Sequence, residues 1–519
     1  MAPPYVPTPE QTALAEKRRA ERAAKKAAIA SGAVADPNKA KGEGQGQGQG
    51  EGEVEFLKRD WVDVGPGQVE GGGEGKKGVR ILTWNLLAQT LVRRKLFPGS
   101  DCLKWGDRKA LLLAEMAHHG SCDIICLQEC DKLSEITTSL PKHAFVKGTG
   151  PHKSHGLVVL YNKEKFGAEW KELVHLDFED LHPPLQSGRE GEEGEEGEEK
   201  GDGEEDLGEM KRRKGGSRMT KNVGLIVGLK SKDESGRGIV VATTHLFWHP
   251  MYAYERTRQA LLLIRAIRRF QRVHGLEGWP VVFAGDLNTQ PSESTYSLLT
   301  SPHSPLPASY AAQVESSRIV HDNLKKMSFT APRTLPVTTH ADASIPPGTG
   351  SLPASGTSTP VPTKTDEEKD EDRQDKKDDS TANSRPPLVS DGIPTTEEMV
   401  GLFREVFPGG GCESAYGSTG WRVGRDVAGF GGRGGFGESK EGKGEGGGGD
   451  EPGYTCFTPL FKLTLDYLLL LPPLSPSSDP KARFSKVLLP PRAEELGEGL
   501  PRKGICASDH VAVGCEVVW

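Results

Sequence analysis

The sequence predicts an α/β fold in which two mixed β-sheets pack into a sandwich with helices on the outside. In the first half of the chain, apolar segments of strand length alternate with amphipathic helical segments, which is typical of α/β proteins. In the second half, strand-like segments follow one another without helices between them. Stretches rich in Gly, Pro and charge separate these elements. Insertions between elements of secondary structure are tolerated because a long surface loop costs little stability.

Order is expected to begin at Val79, because VRILTW is a β-branched and apolar run suited to a buried strand. Two helices are predicted, at about 108–118 and over the long amphipathic segment 253–273. The further predicted strands are, in chain order, 122–128, 156–161, 222–229, 239–246, 280–284, 456–458, 463–471 and 511–518.

Several stretches have compositions that cannot hold an apolar core. We expect a disordered N-terminal tail over residues 1–76 and one domain over residues 77–519. Disordered insertions at about 186–218, 335–395 and 430–452 are expected to interrupt this domain. The first insertion is acidic, the second is rich in Pro, Ser, Thr and mixed charge, and the third is nearly all Gly and charge.

The net charge of −7 belongs to one insertion rather than to the whole chain. Residues 189–206 hold 11 acidic and 2 basic side chains, so the remainder is close to neutral. The rest of the chain therefore carries no net charge that would repel a polyanion. It is also not basic enough for nonspecific duplex binding through a broad cationic face.

The eight cysteines are scattered and include no CxxC pair, which excludes the spacing of a zinc ribbon. We expect reduced thiols in an intracellular protein of the cytoplasm, the nucleus or both. No apolar run is long enough for a signal peptide or a membrane span, so no membrane partner is expected. The basic cluster 211–214 is either a nuclear signal or solvated loop charge.

Polar side chains stand where the predicted strands end. The set consists of Asn85, Glu129, His245, Asp286, Asn288 and Asp466, together with Asp509 and His510 before the last strand. Functional groups at strand ends surround a common rim in sheet-based enzymes. Each residue alone is more often a turn, cap or structural residue, so the prediction of a site depends on their joint occurrence.

The chemistry of this set suits metal-assisted hydrolysis of a phosphoester. Mg²⁺ prefers oxygen ligands and needs only one or two carboxylates. An imidazole oriented by a carboxylate can take a proton from water. Asp286 and Asn288 are two residues apart, so both can face one phosphate.

Six motifs in order resemble the endonuclease/exonuclease/phosphatase superfamily, whose DNase-I-like fold is a four-layered α/β sandwich. They are TWNLLA (83–88), LQEC (127–130), TTHL (243–246), GDLN (285–288), LDYL (465–468) and SDH (508–510). Within the superfamily the chain resembles the deadenylase and nocturnin branch, including its fungal RNA exonucleases. WNLLA, the residues from Leu103 to Arg108, TTHLFWHP and FTPLFKLTLDY carry that resemblance.

The resemblance implies a metal site for Mg²⁺, with Mn²⁺ as the alternative ion. Glu129 would be the principal ligand, with Asn85 beside it and Asp509 in support. Asp286 and Asn288 would hold the metal, the phosphate or the attacking water.

The resemblance also implies the remaining roles. His510 would be the acid/base residue, oriented by Asp466, and His245 would stabilise the phosphate in the transition state. Phe461 and Pro250 would hold a base between them, unless Phe461 is simply an apolar strand residue of the core.

The implied function is a 3′-to-5′ exoribonuclease acting on unpaired RNA ends, such as poly(A) tails or ribosomal RNA precursors. A nucleotide or dinucleotide phosphatase of the same fold is the alternative, and a catalytically inactive RNA-binding module is a third reading. Residues 1–76 show no leucine-rich repeat, so docking through such repeats is not expected. His249 stands where deadenylases often carry an acidic residue, which leaves substrate preference open.

Overall fold

The computed structural model describes residues 54–64, 78–177, 181, 220–233, 236–321, 337–339, 384–389, 393–422, 450–474 and 482–519. Their strands are, in chain order, β1 (Trp61–Asp63), β2 (Val79–Asn85), β3 (Ile124–Cys130), β4 (His143–Gly148), β5 (Gly156–Asn162), β6 (Phe166–His175), β7 (Val223–Ser231), β8 (Gly238–His245), β9 (Val281–Asp286), β10 (Val320–His321), β11 (Val337–Thr339), β12 (Ser384–Arg385), β13 (Glu413–Ser414), β14 (Cys456–Phe457), β15 (Lys462–Leu463), β16 (Asp466–Leu470), β17 (Arg483–Leu488) and β18 (Val513–Val518). Their α-helices are α1 (Trp105–His118), α2 (Leu133–Ile136), α3 (Ala253–Val273), α4 (Ser294–Thr300), α5 (Ala308–Ser316), α6 (Thr396–Val406) and α7 (Ala493–Leu496).

Two mixed sheets hold most of these strands. Sheet I has the order β1-β17-β18-β2-β3-β5-β4-β11, and sheet II has the order β13-β16-β9-β8-β7-β6. The pairs β2–β3 and β8–β9 are parallel, whereas the other neighbours in both sheets are antiparallel. The small ribbons β10–β12 and β14–β15 lie outside the two sheets.

Three apolar clusters separate four layers. Alternate residues of a strand face opposite sides of its sheet. Ile81 of β2 therefore packs between the two sheets, whereas Leu82 packs in the cluster that α1 shares with sheet I. On the far side, Leu261 and Ile264 of α3 belong to the cluster that covers the outer face of sheet II. The predicted four-layered sandwich is thus confirmed.

The parallel pairs explain why one edge of each sheet gathers polar groups. Neighbouring parallel strands end at the same edge, so β2 and β3 finish side by side, as do β8 and β9. On sheet II, the register places His245 beside Asp286, and Asp286 beside Asp466. Polar residues therefore stand side by side at the ends of neighbouring strands in both sheets.

Some expected boundaries need correction. Residues 54–64 fall in the expected tail, yet Trp61–Asp63 pair with β17 as an edge strand. The segment Val337–Thr339, inside the expected second insertion, pairs with β4 at the other edge of sheet I, and Ser384–Arg385 pair with β10. These strands are only two or three residues long, so their sequences show no clear alternation of apolar and polar residues. Their extended conformation depends mainly on the strand with which they pair. The first insertion and the rest of the expected tail lie outside the described residues.

Other elements differ from the sequence prediction. The single strand expected over 463–471 is two strands, because Lys462–Leu463 pair with β14 whereas Asp466–Leu470 pair with β9. The sequence analysis missed strands β4, β6 and β17 and helices α4, α5 and α6. All eight cysteines are unpaired and buried, as expected. No helix in the described ranges has both the length and the apolar character needed to cross a bilayer.

Glu451, at the end of the expected third insertion, is instead a buried part of the fold. Its Oε1 accepts hydrogen bonds from the hydroxyls of Tyr296, at 2.8 Å, and Ser414. Burial raises the pKa of Glu451 to about 7, although these hydrogen bonds lower it. The folded protein therefore favours the neutral acid.

This environment predicts a pH-dependent gain in stability for Glu451→Gln. The folded-state pKa lies above the ordinary 4.5, so the wild-type protein loses stability as the pH rises from 4.5 through about 7. The neutral variant should lack this loss and be more stable at pH 8 by up to about 3 kcal/mol. Urea unfolding at pH 4.5 and pH 8 measures the difference. The exposed Glu413 provides the control Glu413→Gln, and an unchanged pH dependence in Glu451→Gln would refute the prediction.

Candidate active site

Asn85 joins the polar edges of the two sheets. Its Nδ2 donates to Glu129 Oε1 at 3.2 Å and to Asp286 Oδ2 at 2.9 Å. Its Oδ1 accepts from the backbone N–H of Leu87 at 3.0 Å, which fixes the amide orientation. A carboxylate from each sheet is thereby held at a common point.

Glu129 lies where β3 becomes irregular. Its φ of 54° is in the left-handed region, and the pairing with β5 shifts between Leu127 and Cys130. A non-glycine residue in this region is uncommon and is often associated with function. The turn lets Glu129 Oε2 accept from the backbone N–H of Ala88 at 2.9 Å.

The charge state of Glu129 reflects opposing effects. Burial would raise the pKa of Glu129, but His245 and His155 lower it, as do the hydrogen bonds from Ala88 and Asn85. The net pKa lies below the ordinary value. Glu129 is therefore an ionised carboxylate at neutral pH, as a cation ligand must be.

Asp286 and Asn288 form a tight turn after β9. Asp286 Oδ1 accepts from the backbone N–H of Asn288 at 3.0 Å, and Asn288 Nδ2 donates to the carbonyl of Leu246 at 2.9 Å. Gly285 has a φ of 151°, and a Cβ there would lie 2.3 Å from the carbonyl oxygen of Thr244. The glycine of the GDLN motif thus allows β9 to approach β8 closely.

His245 stands between the carboxylates of the two sheets. Its Nδ1 is 3.7 Å from Glu129 Oε1, and its Nε2 is 3.7 Å from Asp286 Oδ2. Burial raises the pKa of Asp286, and the neighbouring charge of Asp466 raises it further, whereas His245 and His510 act in the opposite direction. The net pKa of Asp286 remains above its ordinary value, because the carboxyl is buried beside a second carboxylate.

Asp466 and His510 form a buried pair. Asp466 Oδ2 is 2.7 Å from His510 Nδ1 and also accepts from the hydroxyl of Thr455 at 2.6 Å. The other carboxylate oxygen, Oδ1, is buried without a hydrogen-bond partner. His510 Nε2 is 3.8 Å from Asp286 Oδ2, so the imidazole reaches from Asp466 towards the carboxylate cluster.

The backbone around His510 is fixed from sheet I. Trp84 Nε1 donates to the carbonyl of His510 at 2.8 Å. The hydroxyl of Ser508 donates to the carbonyl of Asn85 at 2.7 Å. Burial disfavours the imidazolium, but Asp466 raises the pKa of His510 well above its ordinary value.

Asp509 lies in the same turn and is partly buried. Its Oδ1 accepts from the hydroxyl of Ser508 at 3.3 Å, and burial raises its pKa. Below it, Arg108 is fully buried and donates to the carbonyls of Leu86, Leu87 and Ala507 at 2.6–2.7 Å. Arg108 therefore holds the loops on both sides of the rim in place.

Pro250 follows β8 and Phe461 precedes β16, the strands whose ends carry His245 and Asp466 at the polar edge of sheet II. Pro250 is exposed in the loop after β8, and its carbonyl accepts from Arg256 at 3.2 Å. Phe461 is partly exposed in the turn between β14 and β15, where its N–H donates to the hydroxyl of Thr458 at 3.0 Å. Phe461 thus lies in a turn rather than in the core of a strand, and its role in binding a base stays a prediction.

The sequence analysis missed several residues that shape this site. His155, which directly precedes β5, interacts electrostatically with Glu129 and His245. Burial lowers the pKa of His155 to about 4, with Lys153 and His245 contributing in the same direction. In the sequence, the only feature that could have pointed to His155 is its position directly before a predicted strand. Thr455, Trp84 and Ser508 were missed because their roles depend on partners far away in sequence.

Two groups of possible metal-ligand atoms occur among the described residues. One comprises Asp286, Asp466 and His510, and the other comprises Cys456, Asp509 and His510. Glu129 belongs to neither group, but Asn85 links it directly to Asp286. The assignment of the individual ligands remains a prediction.

Known proteins resemble this chain in sequence. Residues 82–362 match the Endonuclease/Exonuclease/phosphatase family. The chain is 30% identical over 311 residues to the probable RNA exonuclease C9B6.11c of Schizosaccharomyces pombe, covering 57% of this chain and 52% of that protein. It is 34% identical over 250 residues to the probable RNA exonuclease NGL3 of Saccharomyces cerevisiae, covering 46% of this chain and 43% of that protein.

The chain thus spans about half the length of the curated relatives that it matches. Among solved structures, the catalytic domain of human nocturnin aligns at 17% identity and a TM-score of 0.42, over 88% of this chain and 97% of that one. The resemblance to the superfamily and to its fungal RNA exonucleases is confirmed.

Proposed function

Because the chain belongs to the Endonuclease/Exonuclease/phosphatase family, we propose that it is a magnesium-dependent hydrolase that removes nucleotides from the 3′ ends of single-stranded RNA. One observation carries the hydrolytic part of this proposal. The imidazole of His510, held by Asp466 at 2.7 Å, faces the buried cluster formed by Asn85, Glu129 and Asp286. A proton-transfer group and a concentration of negative charge are thus adjacent.

The donor set fits a hard divalent cation. Asp466 Oδ1 is buried without a hydrogen-bond partner, and Glu129 is ionised despite its burial. Carboxylate and amide oxygens are the ligands that Mg²⁺ and Mn²⁺ prefer. Glu129 would be the principal ligand, with Asn85 beside it and Asp509 in support. When bound, the ion would neutralise charge on the phosphate oxygens.

The remaining residues would position and protonate the reacting groups. His510 exchanges a proton with the attacking water or the leaving oxygen, and Asp466 keeps its ring oriented through Nδ1. His245, partly exposed at the rim, stabilises the phosphate. Asp286 and Asn288 hold the water or the phosphate at the turn after β9.

The choice of RNA is supported by two features. Both fungal relatives carry the name of an RNA exonuclease. Pro250 and Phe461 lie beside the site and could hold an unpaired base between them, an interaction that tolerates any sequence. The unpaired, buried cysteines support action inside the cell, in the cytoplasm, the nucleus or both.

A nucleotide phosphatase would use the same hydrolytic residues, so the substrates must be compared directly. Initial rates with Mg²⁺ should be measured on poly(A), on a structured ribosomal RNA end with an unpaired tail, and on a phosphorylated dinucleotide. The proposal predicts faster hydrolysis of at least one RNA than of the dinucleotide. Hydrolysis of the dinucleotide alone would replace it with the phosphatase function. Tight RNA binding without any hydrolysis would leave only an inactive binding module.

A further inference from the structure

Exposed apolar side chains surround the rim of the candidate active site. Trp248 is 54% exposed and Met251 is 73% exposed, and both lie in residues 246–252, here called the rim loop. Leu460, 53% exposed, lies in the turn before Asp466. The register of sheet II places the end of β8 and the start of β16 at the edge that carries His245, Asp286 and Asp466, and these two segments lie next to those strand ends in sequence. Large exposed apolar groups that cluster beside a site indicate a binding surface.

The rim loop is held firmly, so the exposure of Trp248 is a property of the fold. The buried guanidinium of Arg256 donates to the carbonyls of His249, at 2.5 Å, and Pro250, at 3.2 Å. The backbone N–H of Phe247 donates to Gln259 Oε1 at 3.1 Å. The indole therefore projects from a braced backbone, which reduces the entropy that a ligand contact would cost.

The neighbouring rings limit the directions that the indole can take. Trp248 lies 5.1 Å from the ring of His249 and 6.4 Å from the ring of Phe247, measured between centroids. Both rings are tilted at 53° to the indole, and more than half of the surface of Trp248 remains exposed. A planar group of aromatic character is the natural occupant of that surface.

Exposed cations in the segments that flank Asn85 and Asp466 in sequence favour a nucleic acid over a protein. Arg94 and Lys95 are exposed on the loop that follows β2, and Lys462 is exposed on β15, 4.2 Å from the ring centroid of Phe457. Cations interleaved with aromatic rings are typical of surfaces that follow a single strand, because cations meet phosphates while rings stack on bases. Trp248 is three residues from His245, so such a strand would continue directly into the site.

We propose that Trp248 stacks on a second unpaired base of the RNA substrate, on the 5′ side of the terminal nucleotide. This inference rests on the proposed function, in which Pro250 and Phe461 hold the terminal base. Trp248 and Pro250 are two residues apart, at most about 7 Å along an extended chain, which is comparable to one nucleotide step. The rim loop would thus read at least two consecutive bases by stacking.

The test compares an RNA oligonucleotide with a copy that has an abasic sugar in place of the second base. With wild-type protein, loss of this base should raise KM by about 5- to 150-fold. In Trp248→Ala, KM for the intact RNA should already be raised, and the abasic change should add almost nothing. Trp248→Phe should keep most of the penalty because it keeps an aromatic face.

Val273 provides the matched control. It is 70% exposed at the far end of α3, whose 21 residues span about 30 Å, so Val273→Ala should retain the full abasic penalty. Thermal unfolding of each variant verifies that the fold is intact.

Equal abasic penalties in wild type and Trp248→Ala would overturn the inference while leaving the exonuclease function intact. Trimming of RNA without any abasic penalty in the wild type would also overturn it, and would point to a protein as the ligand of this surface. Failure of the wild type to hydrolyse any RNA would overturn both proposals.

Discussion

Replacing Asp286 with Asn is expected to reduce RNA hydrolysis by about 10³-fold or more, because the variant loses a charge at the centre of the site. Asp286 Oδ2 accepts from Asn85 and lies within 4 Å of both His245 and His510. Asn has the same shape, but its Nδ2 donates and cannot accept, so it keeps only one of the hydrogen bonds that Asp286 accepts from Asn85 and Asn288. The loss would report on the charge together with one hydrogen bond, and it should appear in kcat/KM with saturating Mg²⁺.

The same substitution is expected to stabilise the fold. Burial raises the pKa of Asp286, and the charge of Asp466 raises it further, so the folded protein bears a cost for ionising this group. A neutral side chain removes that cost, so the variant should unfold at a higher urea concentration in chelator at pH 8, with the lost hydrogen bond offsetting part of the gain. A gain in stability together with a loss of activity is the pattern expected of a functional residue.

Asp123, which directly precedes β3, is expected to behave in the opposite way: its replacement should lower stability and leave activity unchanged. It is 3% exposed and is paired with Lys165 at 2.6 Å, so Asp123→Asn should lower stability while activity stays unchanged. Chemical unfolding and RNA hydrolysis, measured for both variants, distinguish a functional residue from one that only stabilises the fold. Near-normal hydrolysis by Asp286→Asn would show that the site has been assigned wrongly.

Replacing Asp466 with Asn is expected to reduce turnover by about 10²- to 10⁴-fold, the range of general acid–base catalysis. Asp466 acts through His510, whose Nδ1 it holds at 2.7 Å. It is therefore a positioning residue, and its effect should depend on the imidazole. In a His510→Ala background, Asp466→Asn should cost little further activity, because residues that act as a unit are not additive.

A second readout tests the same pair without turnover. Asp466 raises the pKa of His510, so an NMR titration of metal-free Asp466→Asn should show a lower His510 pKa than in the wild type. Full additivity of the two activity losses, or an unchanged His510 pKa, would contradict the positioning role.

The sequence was a good guide to the strands that carry the site. The apolar runs of β2, β3, β8 and β9 are buried on both faces, so their patterns are strong and their polar ends stand out. The edge strands β1 and β11 could not be predicted, because only three residues pair in each. Their conformation depends on the partner strand rather than on their own pattern.

The details of the site depend on contacts between distant residues. The φ of 54° at Glu129 and the bonds from Arg108 to three carbonyls appear only once segments that are distant in sequence have met within sheet I. Glu451 follows a Gly-rich stretch, so composition alone placed it in a disordered segment, although it is buried. His155 gave no motif, and its proximity to Glu129 follows from the pairing of β5 with β3.

The most direct test of the proposed function is a time course with a 5′-labelled RNA that ends in an unpaired 3′ tail. Products formed in Mg²⁺ would be separated at single-nucleotide resolution, for the wild type and for Asp286→Asn. The proposal predicts a ladder that shortens one nucleotide at a time from the 3′ end with the wild type, and intact RNA with the variant. Discrete internal cuts by the wild type, or the same ladder from both proteins, would contradict it.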